Sequence, residues 1–107
     1  MAEVYQREQA ELTTSFAQAY VVPAGTSSVV IGCRVSNIGA SSCNIEVKVG
    51  ASGSTKHISG VDTPLPVGSS LSLLAGDKLI LEAGEIVEAK SSSASNADLI
   101  LSILEIS

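Results

Sequence analysis

The stretch SVVIGCRVSNIGASSCNIEVKV, residues 28–49, decides the fold class. Apolar side chains recur at every second position in both of its halves: Val29, Ile31, Cys33 and Val35, then Ile45, Val47 and Val49. This alternation is typical of β-strands that have one face in a core and the other in water. Residues 37–42 between the two halves are turn formers of hairpin length, so we expect the two strands to pair antiparallel.

Turn residues divide the remainder of the chain in the same way. The segment 60–68 contains Pro64 and Pro66, which a central strand excludes. The other expected strands cover residues 19–22, 55–59, 70–74, 78–82, 86–90 and 98–106. About eight strands at this spacing predict one all-β domain over residues 17–107, an antiparallel β-sandwich that is jelly-roll-like. An immunoglobulin-like sandwich is the alternative.

Residues 1–16 differ from this pattern because they are mostly polar. They form either a frayed end or edge strand of the domain, or an arm that reaches onto a neighbouring subunit. The candidate arm contacts are the apolar residues Val4, Tyr5 and Leu12.

The last expected strand is apolar on both faces, whereas a strand with one wet face should not be. Leu99, Leu101 and Ile103 alternate with a second apolar set. That second set is covered either by a loop of the same domain or by another subunit. Its members are the candidate subunit-interface residues Ile100, Leu104 and Ile106.

Composition favours self-association and argues against some partners. With two tyrosines, one phenylalanine and no tryptophan in 107 residues, the domain would gain from burying a second surface, so we expect a homo-oligomer. The net charge is -5 and the six cations are scattered, whereas nucleic-acid sites need clustered Lys and Arg. We therefore expect no direct nucleic-acid binding. No apolar run resembles a secretory signal or a membrane span, so we expect synthesis in the cytoplasm and no membrane partner.

The sequence offers no pattern that predicts catalysis, a cofactor or a metal site. Its one histidine, His57, lacks a partner motif for a catalytic serine or a metal, which favours a surface residue. The carboxylates of Glu82, Glu85 and Glu88 lie around an Ala-Gly turn, which predicts solvated groups rather than a glycosidase pair. Cys33 and Cys43 occupy apolar positions out of register for a bridge, which predicts buried free thiols. We expect a protein that is not an enzyme.

Several longer stretches resemble a known group of proteins. They are YVVPAGT (20–26), RVSN (34–37), PLPVGSSL (64–71), GDKLILEAGE (76–85) and ADLILSILEI (97–106). Together they resemble small accessory virion proteins of tailed bacteriophages, a group that includes head decoration (cement) proteins and neck or tail-fibre attachment domains. The resemblance implies a β-sandwich that assembles as an oligomer on the particle.

The resemblance also implies a role and a location. The role is that of a structural protein of a tailed-phage virion, a capsid decoration or cement protein that acts as a trimer and bridges shell subunits. Its partners would be copies of itself and capsid, neck or tail proteins. The alternative is a receptor- or carbohydrate-binding module of a neck or tail fibre. Sugar binding usually needs exposed aromatic side chains, and the sequence has only Tyr5, Phe16 and Tyr20.

Overall fold

The computed structural model describes residues 3–74, 77–93 and 96–107, and within them the chain is all-β. Its ten strand segments are β1 (Glu3–Glu11), β2 (Ala17–Val21), β3 (Ser27–Asn37), β4 (Cys43–Gly50), β5 (Lys56–His57), β6 (Thr63–Leu65), β7 (Ser70–Ser72), β8 (Leu79–Leu81), β9 (Ile86–Ser91) and β10 (Ala97–Ile106). No helix occurs in these described ranges.

The segments form two antiparallel sheets. Sheet 1 has the order β1-β10-β3 followed by β7 and β8, which both pair with β3. Sheet 2 has the order β2-β9-β4 followed by β5 and β6, which both pair with β4. The segments β7 and β8 act as one interrupted edge strand of sheet 1, and β5 and β6 act as one interrupted edge strand of sheet 2. The ten segments therefore make an eight-stranded sandwich. This part of the prediction is confirmed.

The connectivity is that of a jelly roll rather than of the immunoglobulin-like alternative. From β1 to β4 the chain changes sheet at every connection, and it does so again from β6 to β7, from β8 to β9 and from β9 to β10. The remaining connections lie within a sheet. The segments β4, β5 and β6 follow one another in sheet 2, and β7 and β8 follow one another in sheet 1 as the two parts of one edge strand. Such nested Greek keys define the double-sheet jelly roll.

The core lies between the inner faces of the two sheets. Sheet 1 contributes Leu99, Leu101 and Ile103 of β10, all essentially inaccessible to water. Sheet 2 contributes Ile45 and Val47 of β4, which are equally buried. Aliphatic side chains therefore fill the interior, as the alternation of these two strands predicted.

The predicted hairpin between residues 28–35 and 45–49 is wrong. Strand β3 pairs with β10 in sheet 1, whereas β4 pairs with β9 in sheet 2. Residues 38–42 therefore cross from one sheet to the other. The turn-forming residues were identified correctly, but local sequence does not distinguish a hairpin from an inter-sheet crossing of the same length.

Two buried amides stabilise this crossing. The Asn37 side-chain nitrogen donates to the carbonyl oxygens of Ser41 and Leu65 at 3.0 and 2.9 Å. The Asn96 side-chain nitrogen donates to the same Ser41 carbonyl at 3.0 Å. Gly39 lies so close to Asn96 that a Cβ atom there would lie 1.4 Å from the Asn96 Oδ1 atom. A larger residue at position 39 would therefore displace the Asn96 amide from its hydrogen bonds.

The N-terminal residues are part of the sandwich. Residues Glu3–Glu11 form β1, which pairs along its whole length with β10 and lies at the edge of sheet 1. Leu12, expected as an arm contact, is instead 3% exposed and belongs to the core, where a neighbouring subunit could not reach it. Residues 3–11 are therefore an edge strand of the sandwich, one of the alternatives that the sequence left open.

Candidate interaction surface

The outer face of sheet 1 carries a row of apolar side chains that crosses β1, β10, β3 and β8. The strand register places Tyr5 opposite Leu104, Leu104 opposite Val29, and Val29 opposite Ile80. We call these four residues the apolar row. Directly opposed residues lie about 4.5–5.5 Å apart across a sheet, so the four side chains form one continuous strip.

The two ends of the apolar row are the most exposed. Tyr5 and Ile80 are each 76% exposed, whereas Leu104 and Val29 in the middle are half-buried between their neighbours. Ile31 and Ile100 lie on the same face and are 40% and 38% exposed. Together these residues place several exposed apolar side chains on one face of the sheet, which makes this face a candidate contact site.

A β-bulge in β3 creates this surface. The pairing of β3 with β10 shifts by one residue at Ser102 and Ile103, where Ile31 is left without a partner. Because strand side chains alternate, one extra residue exchanges the two faces on either side of it. Val30 is therefore buried and Val29 and Ile31 face outward, against the prediction that both would lie on the core side. The bulge converts two expected core residues into surface residues.

The structure brings most of the sequence-predicted contact residues onto this face. Ile100, Leu104 and Ile106 all lie on the outer face of β10, with Leu104 and Ile106 half-buried. Tyr5 of β1 lies beside Leu104. Val4 is 48% exposed but alternates with Tyr5 and so lies on the opposite side of β1. Their part in an interface stays a prediction.

The outer face of sheet 2 carries a charge network instead. The Glu46 carboxylate, only 6% exposed, is 2.9 Å from the His57 Nε2 atom and 3.4 Å from the Lys90 ammonium. The hydrogen bond from His57 and the positive charge of Lys90 hold the pKa of Glu46 below its ordinary value. His57 lies on the surface, as its sequence context predicts, but no local pattern indicates its partner, because Glu46 lies eleven residues away on another strand.

Phe16 attaches the segment before β2 to this network. The ammonium groups of Lys48 and Lys90 lie 4.9 and 5.1 Å from the centre of its ring, within cation–π range. The Glu88 carboxylate accepts a hydrogen bond from the Thr55 hydroxyl at 3.1 Å. The polar groups named here therefore have partners within the chain, as buried and half-buried polar groups usually do.

A polar cleft of about 350 Å³ opens between β1 and β2, at one edge of the sandwich. At its base the Tyr20 hydroxyl donates to the Glu105 carboxylate at 2.5 Å and accepts a hydrogen bond from the Ser28 hydroxyl at 2.6 Å. The Gln6 amide donates to the other Glu105 oxygen at 2.7 Å. Burial and the bond to Glu105 raise the pKa of Tyr20 to about 12. These contacts join β1, β10 and β2 and so hold the two sheets together.

Both cysteines are buried and unbridged. Burial raises the pKa of the Cys33 thiol to about 12, which makes it a poor nucleophile. Cys43 belongs to the other sheet, so the two thiols are not on paired strands.

In the part of the chain that the structure describes, no three His, Cys, Asp or Glu residues converge to form a metal site. Over the same residues there is no helix long and apolar enough to span a membrane.

The fold recurs in solved structures of very different sequence. A chain from Bacillus endospore appendages, which form a family of disulfide-linked pili, superposes with a TM-score of 0.57 and 11% identity, over 99% of this chain and 87% of that chain. A chain of the acid-stable capsid of Helicobacter pylori bacteriophage KHP30 superposes with a TM-score of 0.54 and 14% identity, over 100% of this chain and 94% of that chain. No known protein family and no curated protein sequence match the chain. At such identities the likeness concerns the fold alone.

Proposed function

We propose that this chain is a structural protein of a phage particle, and more specifically a capsid decoration or cement protein. The observation that carries the proposal is the apolar row on the outer face of sheet 1. The sequence resemblance to accessory virion proteins of tailed phages supports it. So does the jelly-roll fold, which recurs in a chain of a bacteriophage capsid.

The apolar row suits a protein that works by contact. Its end residues Tyr5 and Ile80 hold most of their side-chain surface in water. Fully burying an aliphatic side chain of this size is worth about 1.5–3 kcal/mol. The loss of translational and rotational freedom on association costs about 4–15 kcal/mol. One row on one copy offsets only part of that cost, so stable attachment requires several copies to act together.

A repeating shell provides this arrangement. In the proposed role, copies of the chain associate as a homo-oligomer and bridge neighbouring shell subunits. The protein acts as a binding element without catalysis. Its location is the outside of the virion.

The test is to recover the protein from particles of the virus that encodes it. After density-gradient purification, mass spectrometry should find the chain in a fixed ratio to the major shell subunit. An Ile80→Asp variant should be lost from the particles because its charge disrupts the apolar row. Val61→Asp is the matched control, since Val61 is 68% exposed and lies outside both sheets. Particles that lack the wild-type chain altogether would refute the proposal.

A further inference from the structure

Charged residues lie on both sides of the apolar row, and their signs are ordered. On the outer face of β1 the sequence of side chains is Glu3, Tyr5, Arg7, and all three are exposed. Successive residues on one strand face are about 6.8 Å apart. The acidic group therefore lies on one side of the row and the basic group at the same distance on the other.

The far end of the row has the same order. Lys78 and Glu82, both exposed, lie two residues before and two residues after Ile80. Strand β8 runs antiparallel to β3, and β3 runs parallel to β1 because both pair antiparallel with β10. Glu82 therefore follows Ile80 toward the Glu3 side, and Lys78 precedes it toward the Arg7 side. Next to the row, the two edge strands are therefore acidic on one side and basic on the other.

We propose that a second copy of this chain covers the apolar row, related to the first by a two-fold axis that runs along the row. This pairing rests on the proposed function and names the partner of the same surface. Rotation about that axis places each row residue over its own counterpart. It also places the acidic side of one copy over the basic side of the other, so that Glu3 faces Arg7 of the second copy and Arg7 faces its Glu3.

Other two-fold arrangements of the same face are electrostatically unfavourable. An axis parallel to the strands would place Tyr5 over Ile80 but would set the acidic side against the acidic side. Like charges directly opposed cost affinity and disfavour that orientation. A two-fold contact uses the same patch on both copies, as the row requires, whereas a trimer contact joins two different patches.

The size of the surface sets the expected strength. Four strands about 4.8 Å apart, with one charged row on each side, give a contact of roughly 300 Å² per copy, well under the roughly 800 Å² of a standard interface. The pair is therefore weak in free solution. It becomes effective where a particle holds copies at neighbouring positions.

Chemical cross-linking suits a weak pair. Opposed sheets pack about 10 Å apart, so a short bis-maleimide spans cysteines that face each other. Tyr5→Cys and Ile80→Cys should each give cross-linked dimers of the full chain, because both positions lie on the axis. Glu3→Cys should cross-link with Arg7→Cys in a mixture but poorly with itself. The native cysteines are buried, and Val61→Cys is the control for random encounters.

Charge reversal gives a second readout. Arg7→Glu should raise the dissociation constant of the pair roughly tenfold, as measured by sedimentation velocity at low salt. The reason is that one substitution changes two symmetry-related contacts between Glu3 and Arg7. The double variant Glu3→Arg with Arg7→Glu should restore it, because the opposite charges then face each other again. Lys56→Glu, an exposed residue of β5 in the other sheet, should have no effect.

The inference is overturned if Tyr5→Cys and Ile80→Cys cross-link no better than Val61→Cys. Efficient self-cross-linking of Glu3→Cys, a trimer in sedimentation, or failure of the double variant to restore association would also overturn it. None of these results would remove the chain from purified particles, so the proposed function and this pairing fail separately.

Discussion

Gly39→Ala tests the crossing between the sheets. A Cβ at residue 39 would overlap the Asn96 amide, so the Asn96 side chain must leave its site. That movement breaks its hydrogen bonds to the Ser41 carbonyl at 3.0 Å and to Asn37 Oδ1 at 3.5 Å. Each bond contributes about 1 kcal/mol, and displacement leaves a buried acceptor less satisfied, so we expect a loss of about 2–3 kcal/mol. For a domain of this size that lowers Tm by about 10 °C.

Thermal unfolding followed by circular dichroism measures this effect, and a double-mutant cycle assigns it. In an Asn96→Ala background, which has already lost the amide, Gly39→Ala should cost less than about 0.5 kcal/mol more. Gly32→Ala is the matched control, because the nearest atoms to a Cβ at that position are those of Ser102 at 3.4 Å, an ordinary contact distance. Equal Tm values for Gly39→Ala and Gly32→Ala would refute the steric argument.

Three further predictions concern buried ionisable groups. Tyr20, with its pKa near 12, should remain protonated at about pH 11 in an absorbance titration, and Tyr20→Phe should remove the late step. Because the fold retains that proton, stability should fall from pH 10 toward pH 12; full ionisation of both tyrosines by pH 11 would contradict this. Cys33 should resist thiol reagents in the native protein and react after denaturation, and rapid native labelling of both cysteines would argue against its burial. Glu46 contributes stability that is complete above its ordinary pKa of 4.5 and is lost as the pH falls through its lowered native value. The denaturation midpoint of Glu46→Gln should therefore depend less on pH below 4.5, and an unchanged slope would contradict the network.

Local alternation was enough to predict the class of fold. The strands β3, β4 and β10 follow period-two patterns that need no tertiary information. Strand pairing was not predictable in the same way. The hairpin between β3 and β4 failed because the crossing is fixed by Asn37 and Asn96, which lie 59 residues apart in the chain.

The candidate surface was predicted in part, for a similar reason. The apolar outer face of β10 was visible because Ile100, Leu104 and Ile106 alternate with core residues. Val29 was assigned to the core because nothing in the local pattern marks the bulge at Ile31. Ile80 lies in an uninterrupted apolar run with Leu79 and Leu81, and such a run does not reveal which face is buried.

A density map of the assembled particle tests the central claim most directly. We expect the jelly roll on the outside of the shell, with the outer face of sheet 1 buried against another protein surface and the Glu46 network of sheet 2 facing solvent. In that map the side chains of Tyr5 and Ile80 should contact a neighbouring chain. A map in which the outer face of sheet 1 points into solvent, with attachment through sheet 2 or the loops alone, would contradict the account.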